Sequence, residues 1–109
     1  MPKDPAVRST SDVAAALREW AVCHPAIRKV IVFGSVARGT ATRHSDLDIA
    51  VIADTDRRFV DRPLDFTDVH DVAPIGIELL VYTPEEFDRN RRRPFFRRIM
   101  QEGEVVYER

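Results

Sequence analysis

Apolar residues in this chain fall into three short continuous runs and two stripes at helical spacing. Val30, Ile31, Val32 and Phe33 form a run rich in β-branched residues and closed by Gly34, which reads as a buried strand rather than a helix. The next run opens at Asp46 and alternates, so Leu47, Ile49 and Val51 take one face of a strand while Asp46 and Asp48 share the other. Ile75 to Thr83 is the third run, with Glu78 its only charge. Val13, Leu17, Trp20 and Ala21 lie on one face of a predicted helix that Ser11 and Asp12 open and Pro25 ends near His24, with Arg18 and Glu19 outward.

The stretch from Asp54 to Pro74 is charged and aperiodic, although Leu64, Asp68, Val69 and Val72 permit a short helix. Thr83, Pro84 and Glu86 make a helix start: an N-cap, a proline at the first helical position and a capping box, with Tyr82 and Phe87 as a staple. Phe95, Phe96, Ile99 and Met100 give a second apolar helical face ended by Gly103, and Val105 to Tyr107 suit a final edge strand. Strands interleaved with helices predict an α/β (α+β) sandwich, a small mixed β-sheet flanked by helices. The 109 residues predict one domain, with Met1 to Arg8 as a loose leader.

Composition narrows the function by exclusion. The formal net charge of −1 gives no reason to expect general adhesion to nucleic acid or to an anionic membrane. No apolar run approaches the roughly 20 residues of a membrane span and the N-terminus lacks a signal-peptide core, which predicts a cytoplasmic protein with no membrane partner. Cys23 is the single cysteine, so no internal disulfide forms, and it is expected to pack as a small apolar residue. His24 suits a favourable charge at a helix C-terminus. Asp61, Asp65, Asp68 and Asp71 read as a solvated face. The six arginines from Arg89 to Arg98 suit a solvated helix surface, or alternatively contact with an acidic partner or RNA.

The chemistry concentrates between Lys29 and Asp54, where two strands flank a turn in a hairpin-like unit. Gly34 permits a backbone conformation that a side chain would forbid, and Ser35 can cap a short helix whose free N–H groups favour an anion. Asp46 and Asp48 are like charges at the mouth of an apolar strand, so they need solvent or a cation. Hard oxygen ligands beside a phosphate seat suit Mg²⁺, which completes its shell with water and substrate phosphates. Arg38, Gly39, Thr40, Thr42, Arg43 and His44 lie in a polar loop between the two features. Arg38 is the candidate there, while Arg43 and His44 suit the surface and Ser45 can bond the local backbone.

Gly34-Ser35, ten residues, then Asp46-Leu47-Asp48 resembles the signature of the polymerase-β nucleotidyltransferase superfamily. The small size is similar to the minimal nucleotidyltransferases, many of them antitoxins paired with HEPN-domain toxins. The resemblance implies the nucleotidyltransferase fold and transfer of a nucleoside monophosphate, AMP foremost, from ATP or another NTP to a hydroxyl. It implies two Mg²⁺ ions, or Mn²⁺, held by Asp46, Asp48 and Glu78, and nucleotide binding by Gly34, Ser35, Arg38 and Ser45. Glu78 takes the position of the superfamily's third acidic ligand, where relatives commonly carry aspartate; read alone, it is a strand-edge glutamate reaching solvent. A HEPN-domain protein is the implied partner. Two alternatives are a non-catalytic antitoxin that masks its partner and a subunit acting on a small-molecule acceptor.

Overall fold

The computed structural model describes residues 10–40, 46–73 and 76–109. The expected leader Met1 to Arg8 and the loop residues Thr42, Arg43, His44 and Ser45 lie outside these residues. Four strands form one sheet in the order β3-β2-β1-β4, with β1 at Ile27–Phe33, β2 at Leu47–Ala53, β3 at Ile77–Tyr82 and β4 at Glu104–Glu108. β1 runs antiparallel to β2 and β4, and β2 runs parallel to β3, which makes the sheet mixed as expected.

Helices cover both faces, which explains why the strands read as continuous apolar runs. On one face α1, Thr10–Val22, and a 3₁₀ segment, Phe59–Asp71, pack Val13, Leu17, Trp20, Phe66 and Val69 against Val30, Val32, Leu47, Ile49 and Val51. On the other, α3, Pro84–Asn90, and α4, Pro94–Glu102, pack Phe87 and Ile99 over Ile31, Phe33 and Ala50. Tyr82, Phe87 and Phe96 fill this second layer with edge-on and tilted ring contacts, the closest with centroids 4.9 Å apart. Asp46 and Asp48, out of phase with Leu47, belong to this second face. Among the described residues, no helix is long and apolar enough to cross a membrane.

Several expectations shift. α1 opens at Thr10, so Ser11 lies within the helix rather than capping it. Cys23 is exposed, its thiol donating to the Glu19 carbonyl at 3.6 Å, because it sits just past the end of α1, beyond the buried stripe. Phe95 and Met100 stay 43% and 52% exposed: so short a helix buries only the narrow stripe of Phe96 and Ile99, three residues apart. His24 pairs with Asp68 at 2.8 Å, and Asp68 also accepts from the Trp20 indole at 2.9 Å. Burial raises the Asp68 pKa, but these two hydrogen bonds outweigh it and the net shift is downward.

The second anchor joins the 3₁₀ segment to α3. Thr83 and Glu86 form the expected capping box, and Glu86 also takes a bidentate pair from Arg62, at 2.6 and 3.0 Å. Arg62 is the one charged side chain buried among the described residues, and it also donates to the Val81 and Arg57 carbonyls. The Arg62 hydrogen bonds hold the Glu86 pKa down at about 2. Because that folded value is depressed, the stabilisation is complete above the ordinary glutamate value of 4.5 and is lost as pH falls toward about 2. Glu86→Gln should keep the capping geometry yet cost about 3 kcal/mol at neutral pH, by leaving a buried guanidinium uncompensated. The deficit should shrink on acidification below pH 4.5, as chemical denaturation across that range would read.

Candidate active site

β1 ends at Phe33, opposite Asp48 of β2, and the chain turns at once into α2, Gly34–Arg38. Gly34 has φ +76°, a left-handed conformation, and a Cβ there would collide with Asp48 Oδ2. The glycine is therefore required twice, for the turn and for the carboxylate behind it. The expected Ser35 cap is not formed: Phe33 occupies the cap position without a side-chain bond, and Ser35 is the second helical residue. Gly39 ends α2, also at φ +76°.

A second glycine makes the matching space across the sheet. Gly76, just before β3, accepts a backbone hydrogen bond from Leu47 N at 2.8 Å, and a Cβ on it would collide with Asp46 Oδ1. Parallel pairing of β2 with β3 then sets Glu78 directly beside Asp48. The three acids named from the sequence are thus neighbours. Burial pushes the Asp48 pKa up to about 6, helped by a hydrogen bond with Glu78 and by the charges of Glu78 and Asp46, while Arg38 opposes the shift. Glu78 is exposed on an edge strand, so it both reaches solvent and stands in the acidic group.

On the other side of Asp48 lies a cavity of ≈ 260 Å³ whose walls include Gly34, Ser35, Arg38, Phe95, Arg98 and Glu102. Arg38 is held across it by Glu102 at 3.1 Å. A larger cavity of ≈ 380 Å³, between Lys29, Ile52, Phe87 and Met100, lies at the other ends of β1 and β2 and contains none of the candidate residues. Its Lys29 and Arg91 are already paired, with Glu108 and Asp88, whereas the smaller cavity contains Asp48, which has no ion-pair partner among the described residues.

This acid group fits a divalent cation by its chemistry: hard oxygen donors, mutual repulsion, and glycines that leave them space. Among the described residues no three His, Cys, Asp or Glu side chains are grouped so as to hold a metal ion by themselves. Such an open arrangement suits an ion that takes the rest of its shell from water and phosphate. Sequence reading missed Gly76, Phe95, Arg98 and Glu102. Gly76 carried a signal, an isolated glycine at a strand's start, which marks close approach by another group. Phe95 and Glu102 carried none and Arg98 only its place in the arginine cluster, because only the fold brings α4 across from β1.

A mixed sheet with paired carboxylates on the strand after a Gly-Ser turn defines a nucleotidyltransferase. The chain matches the family model described as "Polymerase beta, Nucleotidyltransferase" over residues 16–109 and belongs to that family. It is 35% identical over 82 residues to a Methanocaldococcus jannaschii protein named "Putative protein adenylyltransferase MJ0604", covering 74% of this chain and 79% of the relative. Among solved structures, a "putative nucleotidyltransferase" from Sulfolobus solfataricus superposes with a TM-score of 0.63 at 20% identity, covering 99% of this chain and 91% of that one. A toxin–antitoxin structure with AMP-PNP superposes with a TM-score of 0.62, also at 20% identity, covering 91% and 73% of the two chains. At that identity the two structures speak for the fold.

The two left-handed glycines offer a matched test. Gly39→Ala meets no atom within 4 Å and should cost only the backbone strain, about 1 kcal/mol. Gly34→Ala adds the collision with Asp48, so it should cost more and also abolish nucleotidyl transfer, whereas Gly39→Ala keeps it. Melting temperature and transfer measured on both variants check this.

Proposed function

We propose that this nucleotidyltransferase moves AMP from ATP onto a hydroxyl of a protein partner in a Mg²⁺-dependent reaction, and acts as the antitoxin to a HEPN-domain toxin. The observation that carries the reading is the meeting of Asp46, Asp48 and Glu78 beside a cavity that contains Gly34, Ser35 and Arg38. The relative named as a protein adenylyltransferase supports a protein acceptor and AMP as the transferred group. The toxin–antitoxin structure with an ATP analogue supports the partner class.

In this reading Asp46, Asp48 and Glu78 would hold two Mg²⁺ ions, or Mn²⁺. Those ions would neutralise the triphosphate and lower the pKa of the acceptor hydroxyl. Gly34 keeps the turn low enough for phosphates to approach, and Ser35 and Arg38 hold the departing β- and γ-phosphates. Ser45 completes the nucleotide-binding set. The acceptor oxygen forms a bond to the α-phosphorus as the bond from that phosphorus to the bridging oxygen breaks. Pyrophosphate leaves with that electron pair, and the hydroxyl proton passes to solvent. The chain's contribution is position and electrostatics rather than covalent chemistry.

Asp48→Asn should lower transfer on the order of 10³-fold, equivalent to about 4 kcal/mol of barrier. It should also remove the extra thermal stabilisation that Mg²⁺ and ATP give together beyond the sum of their separate effects. A variant that transfers normally, or a wild-type shift that is merely additive, overturns the reading. If Asp46→Asn and Asp48→Asn still neutralise the co-encoded toxin at equal protein level, the masking alternative replaces catalysis. Glu78→Gln separates ligand from strand residue. Removing one of the repelling charges should leave the cation-free protein as stable or more so while transfer falls sharply. Lower stability with unchanged transfer would return Glu78 to a structural role.

A further inference from the structure

The inference rests on the function proposed above and concerns which end of the nucleotide the α4 wall serves. An in-line displacement puts the acceptor and the leaving pyrophosphate on opposite sides of the α-phosphorus, so the cavity assigned to the departing phosphates has to receive a polyanion. Its charged walls are Arg38, Asp48, Arg98 and Glu102. Asp48 is the candidate cation ligand, and Glu102 pairs with Arg38 at 3.1 Å, which leaves that pair without net charge. Arg98 makes no ion pair or hydrogen bond among the described residues. Of the four, it alone brings the cavity a positive charge that is not already matched.

The packing of α4 fixes where that charge stands. Phe96 and Ile99 are buried against the sheet, and Arg98 leaves the helix beside them, at the cavity wall. Arg38 lies on the inner side, where its charge acts on Asp48. Arg98 lies farther out, since it is also a wall, with Pro94, Arg97 and Gln101, of a second cavity of ≈ 260 Å³ that does not include Asp48. We propose that Arg98 binds the outermost phosphate of the nucleotide, completing with Arg38 a two-guanidinium seat for the leaving pyrophosphate, and that it thereby selects a triphosphate donor over a diphosphate. A guanidinium suits this task because it stays charged and donates two parallel hydrogen bonds to phosphate oxygens. The bonds made and broken are those of the transfer described above. Arg98 gives up no proton; it offsets the charge that builds on the pyrophosphate as the bond to the bridging oxygen breaks. A diphosphate ends at Arg38 and leaves Arg98 without a partner. Arg97, adjacent in sequence, walls only the outer cavity and has no part in the seat.

The test is titration calorimetry on the full chain with Mg²⁺, using ATP, ADP, AMP and inorganic pyrophosphate as separate probes. Arg98→Gln should weaken ATP and pyrophosphate by roughly 10- to 100-fold, the effect of losing charge-assisted hydrogen bonds, while ADP loses much less and AMP nothing. The wild-type preference for ATP over ADP should shrink accordingly. Arg98→Lys, which keeps the charge but not the fork, should recover part of the loss, and Arg97→Gln should bind all four probes as the wild type does. The ligand-free melting temperature of Arg98→Gln should match the wild type, because the side chain is exposed and has no partner to lose. Equal losses for ATP, ADP and AMP overturn the proposal, as does unchanged binding of pyrophosphate. So does an Arg97→Gln defect as large as that of Arg98→Gln, which would mean a diffuse positive surface. If the wild-type protein shows no joint stabilisation by Mg²⁺ and ATP, the functional reading fails by itself. The pyrophosphate titration then still decides the seat: binding that depends on Arg98 upholds it, and absent or Arg98-independent binding removes it.

Discussion

Asp48 must be withdrawn partly from water while two other carboxylates stand beside it. Burial and repulsion both work against its charge, which is why its pKa lies near 6, about two above the ordinary aspartate value of 3.8. The arrangement persists because the surrounding backbone leaves no alternative. Phe33 lies opposite in the antiparallel ladder, Glu78 is its partner in the parallel one, and Gly34 closes over its Oδ2. A mixed sheet is what allows this. The central strand β2 borrows a turn from an antiparallel neighbour and an acid from a parallel one.

The two glycines and the two faces of the sheet divide the work. The face under α1 is apolar along its length and supplies stability, with Leu17, Ile49, Val51 and Val81 fully buried. The face under α3 and α4 is apolar only away from the reactive end. There Asp48 replaces what would otherwise be another core residue in the series with Ala50 and Ile52. Local destabilisation at that end is offset elsewhere, by the capping box of α3 and by the Arg62–Glu86 pair that ties the 3₁₀ segment to β3 and α3.

Much of this was legible in the sequence wherever the signal is local. The β-branched run to Phe33, the alternation from Asp46, and Thr83-Pro84-Glu85-Glu86 each carry their own periodicity or cap chemistry, and each gave the right element. The acids were legible because strand alternation alone puts Asp46 and Asp48 on one side. That Glu78 joins them depends on β2 and β3 pairing in parallel and in register, which no local pattern states. Arg62 was missed for the same reason: an arginine in a charged, aperiodic stretch looks solvated until Glu86 and the Val81 carbonyl are brought to it. The errors at Ser11, Ser35 and Cys23 are of a different kind, since cap positions and helix ends move by a residue or two at little energetic cost.

The site that results is electrically polarised. Asp46 and Glu78 lie on the β3 side of Asp48, and Arg38 and Arg98 on the α4 side. In the proposed reaction a nucleotide brings charge of one sign and needs counter-charge at its phosphates; the arginines would face one end, and the acids would give cations a place at the other. Glu102 has a part in this balance. By holding Arg38 at 3.1 Å it keeps that guanidinium at the cavity wall rather than collapsed onto Asp48, where the opposite charges would neutralise each other and close the site. In the proposed site the carboxylates would stay available to cations, and Arg98, held by no acid among the described residues, would stay available to an anion in the cavity.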